Sequence, residues 1–111
     1  MSLDYSLRCH GCGELLFDIN ITHNLIDMAK QVLIGEETDL YKLLWSPPEI
    51  NNNKYRQQIT EGYTTVLTEK ETLMKYESEN GWGTYEGFEK FVHDVATALF
   101  KYPLATIEVS K

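Results

Sequence analysis

The chain has 111 residues with 42% hydrophobic and 24% charged side chains, values of a globular protein of one domain, 1–111, rather than of a disordered chain. No apolar run approaches the roughly 18–20 residues that a membrane span requires, and Met1–Leu7 lacks the basic-then-apolar pattern of a signal peptide, so the expected location is cytoplasmic, with no membrane partner. The formal charge is −7 and the ten Lys and Arg are scattered without a run of three, which argues against direct nucleic-acid binding; the acidic balance reads first as a solvated surface, and otherwise suits a basic protein partner or a nucleic-acid mimic.

Leu3–Arg8 alternates apolar and polar residues, and Glu14–Ile21 is a second apolar run with β-branched members. Joined by the short Cys9-His10-Gly11-Cys12-Gly13 segment, they predict a β-hairpin. Thr22 is placed to cap a helix carrying Leu25, Met28, Ala29, Val32 and Leu33, with Gly35 as its end. Thr38 is placed to cap a shorter helix with Leu40, Tyr41, Leu43, Leu44 and Trp45, stopped by Pro47 and Pro48. After the Asn51–Asn53 connector, Lys54–Glu77 predicts a long helix on Tyr55, Ile59, Tyr63, Val66, Leu67, Leu73 and Met74, with an interruption near Gly62 or Thr64 and Thr65.

The glycine-rich turn Asn80-Gly81-Trp82-Gly83 leads to Thr84, a cap for a helix whose stripe is Tyr85, Phe88, Phe91, Val92, Val95 and Leu99. Pro103 ends that helix, and Leu104–Val109 alternates as a final strand. The fold class is α+β: an N-terminal β-hairpin and a C-terminal strand form a small three-stranded sheet packed on about four helices. The expected core is Leu7, Phe17, Ile19, Leu25, Val32, Phe91, Val95, Leu99, Ile107 and Val109.

Three segments carry chemistry. Cys9-x-x-Cys12-Gly13 between strands has the shape of a zinc knuckle, in which two thiolates grip one side of a tetrahedral ion. His10, His23 or His93 are candidates for a third ligand, and a dimer for the rest; two free thiols on an exposed turn, or a redox pair, are the alternatives. Asn20-Ile21-Thr22-His23-Asn24 gathers amides, a hydroxyl and an imidazole at a strand-to-helix junction, where free backbone N–H groups favour an anion; plain capping explains the same residues. Asn80-Gly81-Trp82-Gly83-Thr84-Tyr85 repeats that chemistry at the last helix, with Trp82 either plugging the core or walling a site. The two junctions are expected to meet and frame one pocket. No phosphate-binding loop, dinucleotide fingerprint or hydrolase motif is present in the sequence.

The strings Asn20–Leu25, Met28-Ala29, Leu44-Trp45 with Pro48-Glu49, Glu79–Glu86 and Ile107–Ser110 resemble a family of small uncharacterised proteins of tailed bacteriophages and prophages. The resemblance runs from about Tyr5 to the end, though 51–77 matches only in length and helical character. It implies an accessory role in the host cytoplasm, transfers no catalytic residues, and does not involve the cysteine pair. Together these features give a non-catalytic module that binds a small polar or anionic ligand, or a host protein, through Asn20, Thr22, His23, Asn24, Asn80, Trp82 and Tyr85. A small hydrolase or nucleotide-modifying enzyme using His23, and a zinc-stabilised structural protein holding the metal at Cys9 and Cys12, are the competing readings.

Overall fold

The alternation of Leu3, Tyr5 and Leu7 with polar neighbours makes the first strand two-faced, and it becomes the centre of the sheet. The computed structural model describes residues 2–77, 81 and 83–111. Strand β1 (Ser2–Arg8) pairs antiparallel with β2 (Leu15–Thr22) on one side and with β5 (Thr106–Ser110) on the other, in the order β2-β1-β5. The register sets Leu3, Tyr5 and Leu7 beside Ile21, Ile19 and Phe17, and Tyr5 and Leu7 beside Val109 and Ile107. All of these point to one face, because successive strand side chains alternate. The other face carries Asp4, Ser6, Arg8, Asp18, Asn20, Thr106 and Glu108. The expected α+β class and three-stranded sheet are therefore present.

After β2 come a single 3-10 turn (His23–Leu25) and α1 (Ile26–Lys30). Helix α1 stops well short of Gly35, the expected end. Instead β3 (Leu33–Ile34) and β4 (Thr38–Asp39) close a two-stranded hairpin around Gly35. That pairing consumes Thr38, so the cap of α2 (Leu40–Trp45) is Asp39, whose Oδ1 accepts from the Lys42 N–H at 2.9 Å.

The expected long helix is two: α3 (Asn53–Thr68), capped by Asn52, and α4 (Lys70–Met74). The break falls at Glu69, not at Gly62 or the threonine pair. Gly62 stays inside α3 because α2 crosses there: a Cβ would lie 2.7 Å from Leu40 Cδ2. Helix α5 (Tyr85–Lys101) buries its predicted stripe, with Phe91 edge-on to Tyr5 at 6.4 Å.

One contiguous core joins the inner face of the sheet to α1, α2, α3 and α5. Seven of the ten expected core residues are fully buried, whereas Phe17, Ile19 and Val109 are half-buried. Those three belong to the two outer strands, where the sheet ends and cover is thinner. The two outer edges are treated differently. A segment before α3 lies along β5, with Ile107 N–H donating to Glu49 O at 2.8 Å and Asn51 N–H donating to Ala105 O at 3.0 Å. No strand pairs with the outer edge of β2 among the described residues.

Candidate functional site

Thr22 ends β2 in extended conformation, and its hydroxyl accepts from the Asn24 N–H at 3.2 Å, capping the 3-10 turn. Thr84 does the same for α5, accepting from Gly87 N–H at 3.1 Å. The two junctions lie side by side. Asn20, Ile21, Thr22 and Leu25 face Gly81, Gly83, Thr84 and Gly87 across a depression of about 350 Å³. Glycine at 83 permits this approach, since a Cβ there would sit 3.2 Å from Asn24 Cβ and 3.3 Å from Leu25 Cδ2.

The electrostatics of this hollow are partly answered from within. The Tyr85 N–H, in the first turn of α5, donates to Glu77 Oε2 at 2.7 Å. A carboxylate at the positive end of a 17-residue helix is the counter-charge that an external anion would otherwise supply. The Tyr85 ring is buried and its hydroxyl donates to Val66 O at 2.8 Å. Burial is the main cause holding that phenol above its ordinary value, with Glu89 adding to it.

His23 belongs to a different cluster. Its ring lies 6.2 Å from that of Trp45, which stacks on Tyr41 at 5.4 Å, with Lys30 Nζ 5.0 Å from the Tyr41 ring. His23 Nε2 and Trp45 Nε1 are both buried without a hydrogen-bond partner among the described residues. The structure thus brings Asn20 and Thr22 to the hollow, leaves Asn24 exposed at its margin, and sets His23 and Tyr85 into packing. Asn80 and Trp82 lie outside the described residues.

At the opposite end of β2 the turn between β1 and β2 is held by its own backbone. Cys9 N–H donates to Glu14 O at 2.8 Å, Gly13 N–H donates to Cys9 O at 2.9 Å, and Arg8 Nη1 donates to Gly13 O at 3.1 Å. Both cysteines are free thiols. The Cys12 thiol, followed by the N–H groups of Cys12 and Gly11, stabilises the Cys9 sulfur as thiolate and draws its pKa below the ordinary thiol value. His10 Nδ1 is 3.3 Å from Thr106 Oγ1, while His93 sits on α5 against Asp94 and the Tyr63 ring. No group of three or more metal-binding side chains occurs among the described residues.

The sequence did not point to what lies between these two ends. β2 and α5 run antiparallel along the open side of the sheet. Leu16 and Phe17 at the start of β2 face Asp94, Thr97, Ala98 and Lys101 across a depression of about 300 Å³. Asn20–Thr22 at its end face Thr84 and Gly87. The lengths agree: five residues of strand and eleven of helix each span about 17 Å. Two separate depressions therefore lie between β2 and α5, one toward each end of the strand. The signal available in the sequence was the row Gly87, Asp94, Thr97 and Lys101, small or polar residues flanking the apolar stripe at helical spacing.

Comparison with protein-family models, with curated proteins and with solved structures returns no match for the chain.

Proposed function

We propose that the chain is a non-catalytic accessory protein that binds an extended, basic segment of a partner protein by strand addition to β2. The observation that carries this reading is the unpaired outer edge of β2, with a depression between strand and α5 toward each of its ends. An edge strand presents a row of free N–H and C=O groups, and an incoming peptide satisfies them while its alternate side chains enter the adjoining groove. Half-buried Phe17 and Ile19 line the inward side of β2, so the peptide's inward residues would be apolar. Its outward residues would extend a sheet face bearing Asp4, Asp18 and Glu108 against the single cation Arg8. Opposite charges across neighbouring strands attract, and Asp18 is the charge that β2 itself presents on this face, so the outward residue beside it would be Lys or Arg. The chain's charge of −7 favours the same partner at long range.

The hollow between the two junctions lies at the Thr22 end of β2 and would hold the last inward side chain. The resemblance to small phage proteins supports an accessory role in a host cytoplasm. A hydrolytic role for His23 draws no support from a ring enclosed against Trp45 and absent from the walls of the hollow.

The test uses an acetylated, amidated hexapeptide of alternating Lys and Val, with a scrambled-charge Glu and Val control. The expected result is protection of β2 amides from hydrogen exchange and cross-strand nuclear Overhauser effects from the Lys peptide to Phe17–Ile21. Binding that protects no β2 amide, or equal binding of the Glu peptide, would overturn the reading.

A further inference from the structure

The segment between α5 and β5 comes back against the β1–β2 turn, and between them lies a hollow that strand addition does not use. Leu16, Tyr102, Pro103, Leu104 and Ala105 give it apolar walls, and its volume of about 500 Å³ is that of a small-molecule site. Leu104 is 78% exposed, the most exposed large apolar side chain among the described residues. A lone exposed leucine is ordinary, but one that also lines an apolar hollow adds area that a ligand can remove from water.

The charge around this hollow runs against that of the chain. The sequence holds 17 Asp and Glu, yet none of them lines it, whereas Lys101 and His10 do. Lys101 pairs with no carboxylate among the described residues, and its Nζ lies 5.4 Å from the centre of the Tyr102 ring. His10 Nδ1 is 3.3 Å from Thr106 Oγ1, and a neutral ring that accepts there carries its proton on Nε2, which makes a second donor. Glu108, on the neighbouring strand, is held by Arg8 at 3.1 Å. The backbone around the hollow is already used. Cys9 N–H donates to Glu14 O, Cys9 O accepts from Gly13 N–H, Tyr102 O accepts from Ala105 N–H, and Ala105 O accepts from Asn51 N–H. A peptide laid here would find few partners for its amides, whereas a chain with one polar end needs none along its length.

We propose that this hollow binds an acyl carboxylate, its apolar chain lying against Leu16, Tyr102 and Leu104 and its carboxylate meeting Lys101, with His10 as a second donor. Binding is reversible and no covalent bond forms or breaks. The site borders the depression lined by Thr97 but does not involve the outer edge of β2, so it stands apart from the strand-addition reading and survives its failure.

The experiment titrates the full, reduced, isotope-labelled chain with octanoate and follows amide shifts by nuclear magnetic resonance. The expected result is a saturable shift centred on Leu16, Tyr102, Leu104 and Ala105, with a Kd of about 1 mM or tighter. Decanoate, longer by two methylenes, should bind about tenfold more tightly because the added carbons are buried. Octylammonium, with the same chain and the opposite charge, should bind about tenfold more weakly than octanoate. Lys101→Glu, at an exposed position, should weaken octanoate about tenfold and turn the preference toward octylammonium. Equal binding of octylammonium to the wild type, no gain from decanoate, shifts centred elsewhere, or no saturable shift up to about 10 mM octanoate would each overturn the proposal. The three ligands on the wild-type chain decide it even if the variant fails to fold.

Discussion

The two edges of the sheet meet the same physical problem and solve it in opposite ways. The start of strand β5 is covered by residues 49–51, which donate to and accept from the backbone at Ala105 and Ile107 and fasten themselves down with a buried side chain. The outer edge of strand β2 is left without a strand partner among the described residues, and α5 stands beside the strand. Edge strands invite association, and a chain able to cover one edge with a short connector has the means to cover another. The uncovered edge is therefore where association is expected.

The sharpest way to break the comparison is to unfasten the covered edge. Asn51 is buried, and its Nδ2 donates to both Leu99 O and Tyr102 O at 2.9 Å. Its Oδ1 accepts from Arg56 Nη1 at 3.2 Å. Asn51→Ala leaves the Leu99 carbonyl unpaired, while Tyr102 O keeps the Ala105 N–H at 3.1 Å, and is expected to cost about 2 kcal/mol in urea unfolding. Amides of β5 should then exchange as fast as those on the outer edge of β2. If β5 stays protected, residues 49–51 do not hold the edge.

Between the edges, β1 is tied to the helices by two phenols. Tyr5 hydroxyl donates to the Tyr55 hydroxyl, which donates to Leu43 O, each at 2.8 Å. Tyr55→Phe strands both a donor and an acceptor and should cost about 2 kcal/mol, whereas Tyr5→Phe leaves the Tyr55 bond intact and should cost about half that. Burial raises both phenols well above their ordinary value. The folded state therefore keeps protons that the unfolded chain gives up. That contribution is complete below about pH 10 and is lost as pH rises beyond it, so alkaline unfolding should begin there. Tyr55→Phe should flatten the slope.

Much of this was readable in the sequence where the deciding contacts are local. The strict alternation of Leu3, Tyr5 and Leu7 fixed a two-faced strand, and the stripe from Tyr85 to Leu99 fixed the last helix. Thr22 and Thr84 act over two or three residues and were legible as caps. Asn51 was not, because it acts on residues 48 and 51 positions away and looked like a turn former. The end of α1 was missed because Leu33–Ile34 gains more by pairing with Thr38–Asp39 than by another helical turn. Glu77 was missed as a cap because it reaches Tyr85 across eight positions. The meeting of the two junctions was expected from matching chemistry; the second depression, at the other end of β2, depends on helix and strand running antiparallel, so the polar row on α5 alone did not reveal it.

The open edge is tested more gently, since its residues are exposed. Thr97 is exposed on the wall of the depression facing Leu16 and Phe17. Thr97→Arg should change stability by no more than about 0.5 kcal/mol, because arginine suits an exposed helix position. It should nevertheless weaken binding of the Lys and Val hexapeptide about tenfold, through bulk and like charge. Unchanged affinity would place the peptide elsewhere.

The smallest expected effect lies on the same wall and separates its electrostatics from its shape. Asp94 accepts from Lys90 Nζ at 2.7 Å and lies 3.2 Å from His93 Nδ1. The hydrogen bond from Lys90 is the main cause that lowers its carboxyl pKa, His93 adds to it, and burial opposes it. A lowered folded value means that the unfolded chain takes up the proton first as pH falls. The contribution is therefore present above about pH 4 and disappears below it. Asp94→Asn should remove a shallow acid-limb slope in stability while leaving the neutral-pH value nearly unchanged, since exposed pairs on one helix contribute little. At neutral pH the variant also removes a carboxylate from the wall of the depression and frees Lys90 one turn away, so a basic peptide should bind somewhat more weakly. Tighter binding would mean that the wall acts through its shape and not its charge.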